Sequence, residues 1–294
     1  MFDGFTHRQI EAQEVVIHLV QGGSGDPVLL LHGYPETHVC WHRVAPILAE
    51  RFTVICPDLR GYGDSSKPAS DAEHLAYSKR VMAQDQVEVM QNLGFHEFAV
   101  IGHDRGARVA HRMALDHPRI ITKLALLDIV PTSWAFAHVD KDIATAAFNW
   151  FFLIQPDGLP ERLIGAEPVF YLRWILDHWA GQRGALAPEA LAEYQRCFDM
   201  DAIRAISEEY RASATIDLVH DEADREKKIS CPTLVLWSAT GMWAKYDMLE
   251  IWKSRAEHVQ GVDLDCGHFL PEEAPEQTAE ELIRFLSQDK VVNS

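Results

Sequence analysis

Cysteine is scarce in this chain, and its spacing matches no metal or redox motif. The 294 residues contain five cysteines, with wide separations and no C-x-x-C: Cys40, Cys56, Cys197, Cys231 and Cys266. Disulfide frameworks and cysteine-based zinc sites need even-numbered or closely spaced sets. We therefore expect reduced, mostly buried thiols in a cytoplasmic protein.

Long apolar runs and positive charge are scarce as well. No stretch reaches the roughly 18 apolar residues of a membrane span. The first residues, MFDGFTHRQIEAQ, have no basic segment followed by an apolar one, so we expect no signal peptide. The formal net charge of −17 disfavours nucleic acid and anionic membranes as partners. An anionic substrate would need cations placed within its own site.

Sequence motifs for bound cofactors are missing. No G-x-x-x-x-G-K-[ST] phosphate loop occurs, and the glycines near Gly23 do not match a dinucleotide fingerprint. His38 and His42 have the i, i+4 spacing of helical zinc ligands, but no Glu follows His38 as in H-E-x-x-H. The sequence therefore predicts neither a metal nor a cofactor.

The order of apolar segments predicts an α/β fold, with a mostly parallel sheet flanked by helices. The predicted strands are 15–20, 28–32, 52–56, 98–101, 124–129 and 232–237, and the predicted helices are 77–93, 107–115 and 272–286. Residues 131–226 are rich in Trp, Phe, Tyr and Ala at helical spacing. We predict a core of 1–130 and 227–294 with an inserted helical cap, 131–226. Ligand sites in such sheets lie at the carboxyl ends of the strands.

The most informative motif is Gly102-His103-Asp104-Arg105-Gly106, between a predicted strand and a predicted helix. It has the form of a nucleophile elbow, in which a tight turn raises one side chain above the sheet. The alternative for Asp104 is an N-cap of the following helix, since Asp is favoured there. As a nucleophile, a carboxylate suits displacement at a tetrahedral carbon and gives an ester that water hydrolyses.

Three further motifs follow predicted strands or precede the last helix. They are His32-Gly33-Tyr34-Pro35, Asp58-Leu59-Arg60-Gly61-Tyr62-Gly63-Asp64-Ser65 and Gly267-His268-Phe269. Together with the Asp elbow, they make the chain resemble an α/β-hydrolase of the dehalogenase and epoxide hydrolase branch. The elbow, Leu127-Asp128-Ile129-Val130-Pro131-Thr132 and Glu209-Tyr210-Arg211-Ala212 resemble haloacetate (fluoroacetate) dehalogenases.

A triad of Asp104, His268 and Asp128 is the predicted catalytic machinery. An ester on Asp104 needs a base to activate water, and a histidine suits that task at neutral pH. The base needs an acid to orient it, and Asp128 competes for this role with Asp247 or Glu250. The resemblance places the acid at Asp128.

Arg105 and Arg108 are three residues apart at the start of the predicted helix and share a face. Two guanidinium groups beside the nucleophile could hold a substrate carboxylate. The alternative is an ordinary salt bridge to a core acid such as Asp128. An arginine after the nucleophile also differs from the Trp that haloalkane dehalogenases usually have there.

The resemblance implies halide donors from the cap: a His-Trp pair and a Tyr. Trp150 and Tyr210 match this pattern, but the His position is Asn149 in this chain. An amide donates hydrogen bonds but cannot become cationic, so defluorination is in doubt. We also expect Trp179 to form a wall of the pocket, and the backbone N–H groups of Tyr34 and Arg105 to form the oxyanion hole.

The predicted activity is hydrolysis of a small 2-haloacid, such as a haloacetate, to a 2-hydroxy acid and halide. Two alternatives stay open. An epoxide hydrolase uses the same machinery, with Tyr210 and either Tyr171 or Tyr194 as acids. A receptor or binding module could retain the fold without catalysis. The resembled family is often dimeric, so we expect a homodimer.

Overall fold

One sheet of eight strands organises the molecule, and the computed structural model describes residues 1–288 of it. Residues 289–294 of the predicted second core segment lie outside the described residues. The strands are β1 Thr6–Ala12, β2 Val15–Gly23, β3 Pro27–Leu31, β4 Thr53–Pro57, β5 Phe98–His103, β6 Ile121–Leu127, β7 Thr233–Ser238 and β8 Val259–Leu264. Their order across the sheet is β1-β2-β4-β3-β5-β6-β7-β8.

Two antiparallel pairings, β1 with β2 and β2 with β4, lie at one edge of the sheet. The pairings from β4 through β8 are parallel. The central strands are buried on both faces because helices cover them, which explains their continuous apolar runs. The predicted, mostly parallel α/β fold is therefore confirmed.

Helices lie between the strands and form a long segment after β6. The helices of the core are α1 Ala45–Ala49, α2 Lys79–Asn92, α3 Asp104–Asp116, α12 Met248–Lys253, α13 Leu270–Glu273 and α14 Pro275–Leu286. Those between β6 and β7, which we call the cap helices, are α4 Thr132–Ala137, α5 Lys141–Ala146, α6 Phe148–Leu153, α7 Leu159–Ala166, α8 Pro168–Trp179, α9 Pro188–Cys197, α10 Met200–Ala214 and α11 Ile216–Ala223. Short 3₁₀ helices span His38–Trp41 and Leu75–Tyr77.

The edge strands and the last helix differ from the prediction. Strand β1 was not predicted because it is largely exposed and polar, and β8 was not predicted because polar residues interrupt its apolar ones and only Leu264 is buried. The single predicted closing helix is divided into α13 and α14 at Pro275, which lacks the N–H that would continue a helix. Within the described residues, no helix has both the length and the apolar character needed to cross a membrane.

Candidate active site

Asp104 stands at a sharp turn between β5 and α3. Its backbone φ angle is +44°, in a region that residues other than glycine rarely adopt. The turn is tight enough to require glycine on both sides. A Cβ atom on Gly102 would lie 2.5 Å from the backbone of Ala107, and one on Gly106 would lie 2.4 Å from the carbonyl oxygen of His32. Asp104 is buried and begins α3, so the elbow geometry predicted from the motif is present.

Two groups lie next to the Asp104 carboxylate. The backbone N–H of Tyr34 donates to Oδ1 over 2.9 Å, while Oδ2 lies 3.9 Å from Nε2 of His268. Burial raises the pKa of Asp104, but the nearby His268 and Arg105 outweigh it and hold that pKa below its ordinary value. The carboxylate is therefore ionised at neutral pH, as a nucleophile requires.

His268 is oriented by Asp128, which follows β6. Nδ1 of His268 lies 2.6 Å from Oδ2 of Asp128, and the other carboxylate oxygen accepts from the N–H of Ser238 over 3.0 Å. Nε2 of His268 has no hydrogen-bond partner among the described residues and faces the nucleophile. Asp247, the competing acid, instead caps α12 by accepting from the N–H of Glu250. The structure thus brings Asp104, His268 and Asp128 together.

His103, which precedes the nucleophile, supports this arrangement and was not recognised from the sequence. Its Nδ1 lies 2.9 Å from Oε2 of Glu36, and its Nε2 lies 2.8 Å from the carbonyl oxygen of His268. Burial lowers the pKa of His103, but the Glu36 carboxylate outweighs it and raises that pKa to about 9. A cationic imidazole donates through both nitrogens, so His103 ties the elbow to the loop that carries His268.

Arg105 is bound to a carboxylate from the cap. Its Nε lies 2.8 Å from Oε2 of Glu209, and its Nη2 lies 2.6 Å from Oε1. Lys79 also pairs with Glu209, and Tyr62 donates to it over 3.2 Å. All of these side chains are buried. The predicted alternative of a salt bridge therefore applies to Arg105, although its partner is Glu209 rather than Asp128.

Arg108 has a different environment. Its Nη1 donates to Oγ1 of Thr132 over 2.8 Å and to the carbonyl oxygen of Val130 over 3.2 Å. None of the carboxylates in the described part of the chain forms an ion pair with Arg108, and its buried Nε lacks a partner. Burial lowers the pKa of Arg108 to about 10, and Arg105 contributes in the same direction. An anionic ligand would compensate the buried positive charge and could accept a hydrogen bond from the unpartnered Nε.

A cavity of about 400 Å³ opens beside the nucleophile. Predicted site residues among its walls are Asp104, Arg108, Asp128, Trp150, Trp179 and His268. Other residues that line the cavity, and that the sequence did not indicate, include Ala146, Ala147, His178, Thr240, Met242 and Trp243. The other predicted site residues, Tyr34, Arg105, Asn149 and Tyr210, are buried as well. The cavity therefore combines the carboxylate of Asp104, the imidazole of His268 and the guanidinium of Arg108, which has no carboxylate partner among the described residues.

Two of the three predicted halide donors, Asn149 and Tyr210, contact each other. Nδ2 of Asn149 donates to the hydroxyl oxygen of Tyr210 over 3.0 Å, and the buried Oδ1 of Asn149 has no hydrogen-bond partner among the described residues. The Tyr210 ring lies 4.1 Å from the Arg105 guanidinium. Trp150 lies 4.9 Å from the guanidinium of Arg108. Asn149 therefore contacts Tyr210 directly, whereas Trp150 lines the cavity.

A family model of the alpha/beta hydrolase fold matches residues 26–275. The chain belongs to the α/β-hydrolase family. A fluoroacetate dehalogenase from Burkholderia sp is 45% identical over 98% of this chain and 95% of its own. A soluble epoxide hydrolase from Corynebacterium sp. strain C12 is 32% identical over 96% of this α/β-hydrolase and 97% of its own length.

A solved structure shares the whole architecture. A protein from Nostoc sp PCC 7120, described as an α/β hydrolase, is 58% identical and superposes with a TM-score of 0.97, covering 98% of this chain and 100% of its own. The resemblance to haloacetate dehalogenases, drawn from the elbow and the cap motifs, is thus confirmed. An epoxide hydrolase is also among the relatives of this α/β-hydrolase, so its relatives have two different activities.

Proposed function

We propose that this α/β-hydrolase removes the halogen from a small 2-haloacid, such as a haloacetate, by hydrolysis. The observation that carries this proposal is that Arg108, without a carboxylate partner, lines the same cavity as Asp104. A buried, unpaired guanidinium is costly and is stabilised by an anion. The name of the Burkholderia relative, a fluoroacetate dehalogenase, supports the same substrate class.

Substrate binding uses the positive charge at the start of α3. The free edge of Arg108 binds the substrate carboxylate through charge-assisted hydrogen bonds. Arg105 adds positive potential, and its Nη1 has no hydrogen-bond partner among the described residues, whereas Glu209 holds Nε and Nη2. Arg108 is therefore the principal carboxylate ligand, and Arg105 contributes a second contact through Nη1.

The first chemical step is displacement at carbon. Oδ2 of Asp104 attacks the carbon that carries the halogen, a new C–O bond forms, and the C–X bond breaks with its electron pair leaving on the halide. The indole N–H of Trp150 and the hydroxyl of Tyr210 donate to the departing halide. Asn149 holds the Tyr210 oxygen, which leaves the hydroxyl hydrogen free to point at the halide.

The second step hydrolyses the ester on Asp104. His268 removes a proton from water through Nε2, and the hydroxide adds to the Asp104 carboxyl carbon. The negative charge develops on Oδ1, where the N–H of Tyr34 already donates. The bond between that carbon and Oδ2 then breaks, and the departing alkoxide takes the proton from His268 to give the 2-hydroxy acid. The water oxygen stays in the Asp104 carboxyl group, which loses its proton to solvent. A single displacement inverts a chiral substrate carbon.

Isotopically labelled water tests the covalent step. With enzyme in excess over chloroacetate, the first turnover should place the label in Asp104 and leave glycolate unlabelled. Repeated turnover should then carry label into the product. Label in the glycolate of a single turnover would contradict the ester mechanism while leaving dehalogenation itself intact.

Epoxide hydrolysis is the second candidate, because suitable tyrosines lie near the nucleophile. The hydroxyl of Tyr34 donates to that of Tyr171 over 3.3 Å, and the Tyr34 ring packs 5.3 Å from that of Tyr210. Tyr171 and Tyr210 could protonate an opening ring. The Corynebacterium relative also supports this candidate, but a neutral epoxide would leave Arg108 uncompensated.

Parallel assays separate the candidates. Halide release from fluoroacetate, chloroacetate and bromoacetate is measured beside diol formation from styrene oxide. The proposal predicts halide release and little diol, and the opposite result would favour the epoxide hydrolase. Tight binding of haloacetate without either product would favour a binding module.

We also propose that the protein forms a homodimer and is located in the cytoplasm. Exposed apolar side chains lie on the cap helices, and a second copy would bury them in a homodimer: Leu159, Leu163, Val169, Phe170, Trp174 and Met200. A cytoplasmic location fits the cysteines, all five of which are free thiols. Light scattering of the purified chain and of Phe170→Glu tests the dimer.

A further inference from the structure

Three histidines and one aspartate meet at the antiparallel edge of the sheet, outside the walls of the catalytic cavity. His7 lies on β1, His18 on β2, His38 in the 3₁₀ helix His38–Trp41, and Asp58 directly after β4. Asp58, His18 and His38 are buried, whereas His7 is exposed. Ligand atoms of His18, His38 and Asp58 all lie within 4.8 Å of one another.

Asp58 determines which ring nitrogens face outward. Its Oδ2 lies 2.9 Å from Nδ1 of His18, and its Oδ1 lies 2.8 Å from Nδ1 of His38. A carboxylate oxygen accepts hydrogen bonds, so the Nδ1 atoms of both rings donate to Asp58 and carry hydrogen. In a neutral ring, Nε2 then carries no hydrogen, and its lone pair can bind a metal ion.

The carboxylate itself is fixed by the backbone. The N–H of His38 donates to Oδ1 over 2.8 Å, and the N–H of Asp64 donates to Oδ2 over 3.0 Å. A carboxylate that orients the far side of an imidazole is the usual outer partner of a histidine bound to a metal. The two inner histidines are therefore preorganised, with their tautomers set.

The spacing of the rings suits a divalent metal ion. Nε2 of His18 and Nδ1 of His7 form a hydrogen bond over 3.2 Å, and two nitrogens bound at about 2.0–2.1 Å to tetrahedral zinc have a similar separation of roughly 3.3 Å. A bound metal ion would replace that hydrogen bond. The centroid of the His18 ring lies 4.9 Å from that of His38 and 5.5 Å from that of His7. Nε2 of His38 has no hydrogen-bond partner among the described residues. The longest separation, 6.4 Å between His7 and His38, has to shorten on binding.

We propose that His7, His18 and His38 bind a divalent transition metal such as Zn²⁺, with Asp58 as the hydrogen-bond partner that orients two of them. Water occupies the fourth position. The site includes His38 but not His42, so it differs from the helical pair considered in the sequence. It joins the edge strand β1, which pairs only with β2, to the loop that follows Tyr34. The metal is thus structural and stabilises the folded chain.

The test measures metal binding directly, on the full chain with His268→Ala so that the catalytic histidine cannot contribute. Metal-free protein is titrated with Zn²⁺ by calorimetry and with Co²⁺ by visible absorption. We expect one ion per chain, and weakening of at least about tenfold in His7→Ala and in His18→Gln. Because His7 is exposed, His7→Ala should fold normally, which circular dichroism checks.

His96→Ala is the matched control, since His96 is exposed and lies elsewhere on the surface. Its Zn²⁺ affinity and Co²⁺ spectrum should equal those of the parent. Saturating Zn²⁺ should raise the melting temperature of the parent and of His96→Ala. The melting temperature of His7→Ala should rise much less. Absence of stoichiometric binding, or equal weakening in His96→Ala and His7→Ala, would overturn the proposal.

Discussion

His268 and Asp128 lie 2.6 Å apart, while the opposite nitrogen of the same imidazole stands 3.9 Å from the Asp104 carboxylate. The base is thus oriented from the end of β6 rather than from the end of β7. The second distance exceeds a hydrogen bond, so the imidazole does not bind the Asp104 carboxylate directly. This asymmetry suits a base that serves ester hydrolysis and takes no part in the first displacement.

Replacing the base should therefore trap the ester. In His268→Gln, one equivalent of halide should be released per active site, after which turnover falls by about 10²–10⁴-fold, the range for a lost general base. Mass spectrometry of the intact chain, and of the peptide containing Asp104, should detect the added carboxymethyl group from chloroacetate.

Asp104→Asn is the control and should give neither halide nor adduct in the same time. A His268→Gln enzyme that turns over normally would remove the histidine from the mechanism. Adduct formation on a residue other than Asp104 would contradict the assignment of the nucleophile.

Arg108 should control the affinity for the substrate carboxylate. Arg108→Gln should raise KM for chloroacetate by about 10–100-fold, because a hydrogen bond to a charged group contributes about 1.5–3 kcal/mol. Arg108→Lys should recover only part of this, since an ammonium lacks the planar fork. Steady-state kinetics measure the effect. Arg119→Gln, at an exposed position, should behave like the parent, and an unchanged KM in Arg108→Gln would argue against haloacids.

Glu209 should be needed for stability, because it neutralises both Arg105 and Lys79 in a buried setting. Glu209→Gln leaves two buried cations with less compensation and should lower the free energy of unfolding by about 3–5 kcal/mol. Urea unfolding measures this. Glu222, which forms an exposed ion pair with Arg225, serves as the control. Glu222→Gln should change the free energy of unfolding by less than about 0.5 kcal/mol. Equal effects of the two substitutions would show that the Glu209 cluster is not a stabilising one.

Asn149 should limit fluoride release. Fluoride forms the strongest hydrogen bonds among the halides, and an amide holding Tyr210 cannot supply a positive charge. Asn149→His should raise turnover of fluoroacetate at least about tenfold if the histidine is cationic, since a charged donor is worth about twice a neutral one. Chloroacetate should change less. Strong fluoride release by the unaltered chain would show that Asn149 suffices.

His103 should make stability depend on pH on the alkaline side. The pKa of His103 is raised to about 9 in the folded chain, above about 6.5 for an unfolded histidine. Its contribution is therefore complete below about pH 6.5 and is lost as the pH rises through about 9, with an upper bound of about 3 kcal/mol. Urea unfolding between pH 6 and 10 should show this loss, and His96→Ala should follow the same curve.

A direct spectroscopic measurement distinguishes His103 from other groups that titrate in this range. ¹⁵N NMR should find both ring nitrogens of His103 protonated at pH 7. A neutral ring at that pH would contradict the ion pair with Glu36, and the alkaline loss of stability would then need another origin.

The sequence by itself determined the fold class and the elbow that carries Asp104. Both depend on local patterns: buried strands read as continuous apolar runs, and the Gly102–Gly106 elbow needs glycine because a Cβ atom on Gly102 or Gly106 would lie within 2.5 Å of neighbouring backbone. The position of Asp128 after a buried strand was readable for the same reason. Strand β1 was not readable, because its residues are polar and mostly exposed, and β8 was not, because polar residues interrupt its apolar ones.

Only the tertiary structure decided the partners of the charged groups. Arg105 and Arg108 are equivalent in the sequence, three residues apart on one helix. Glu209, more than a hundred residues further along, neutralises the first and leaves the second beside the nucleophile. The same holds for His103 with Glu36 and for the three histidines around Asp58. Such pairs are set by long-range packing of the cap and strands, and no local spacing encodes them.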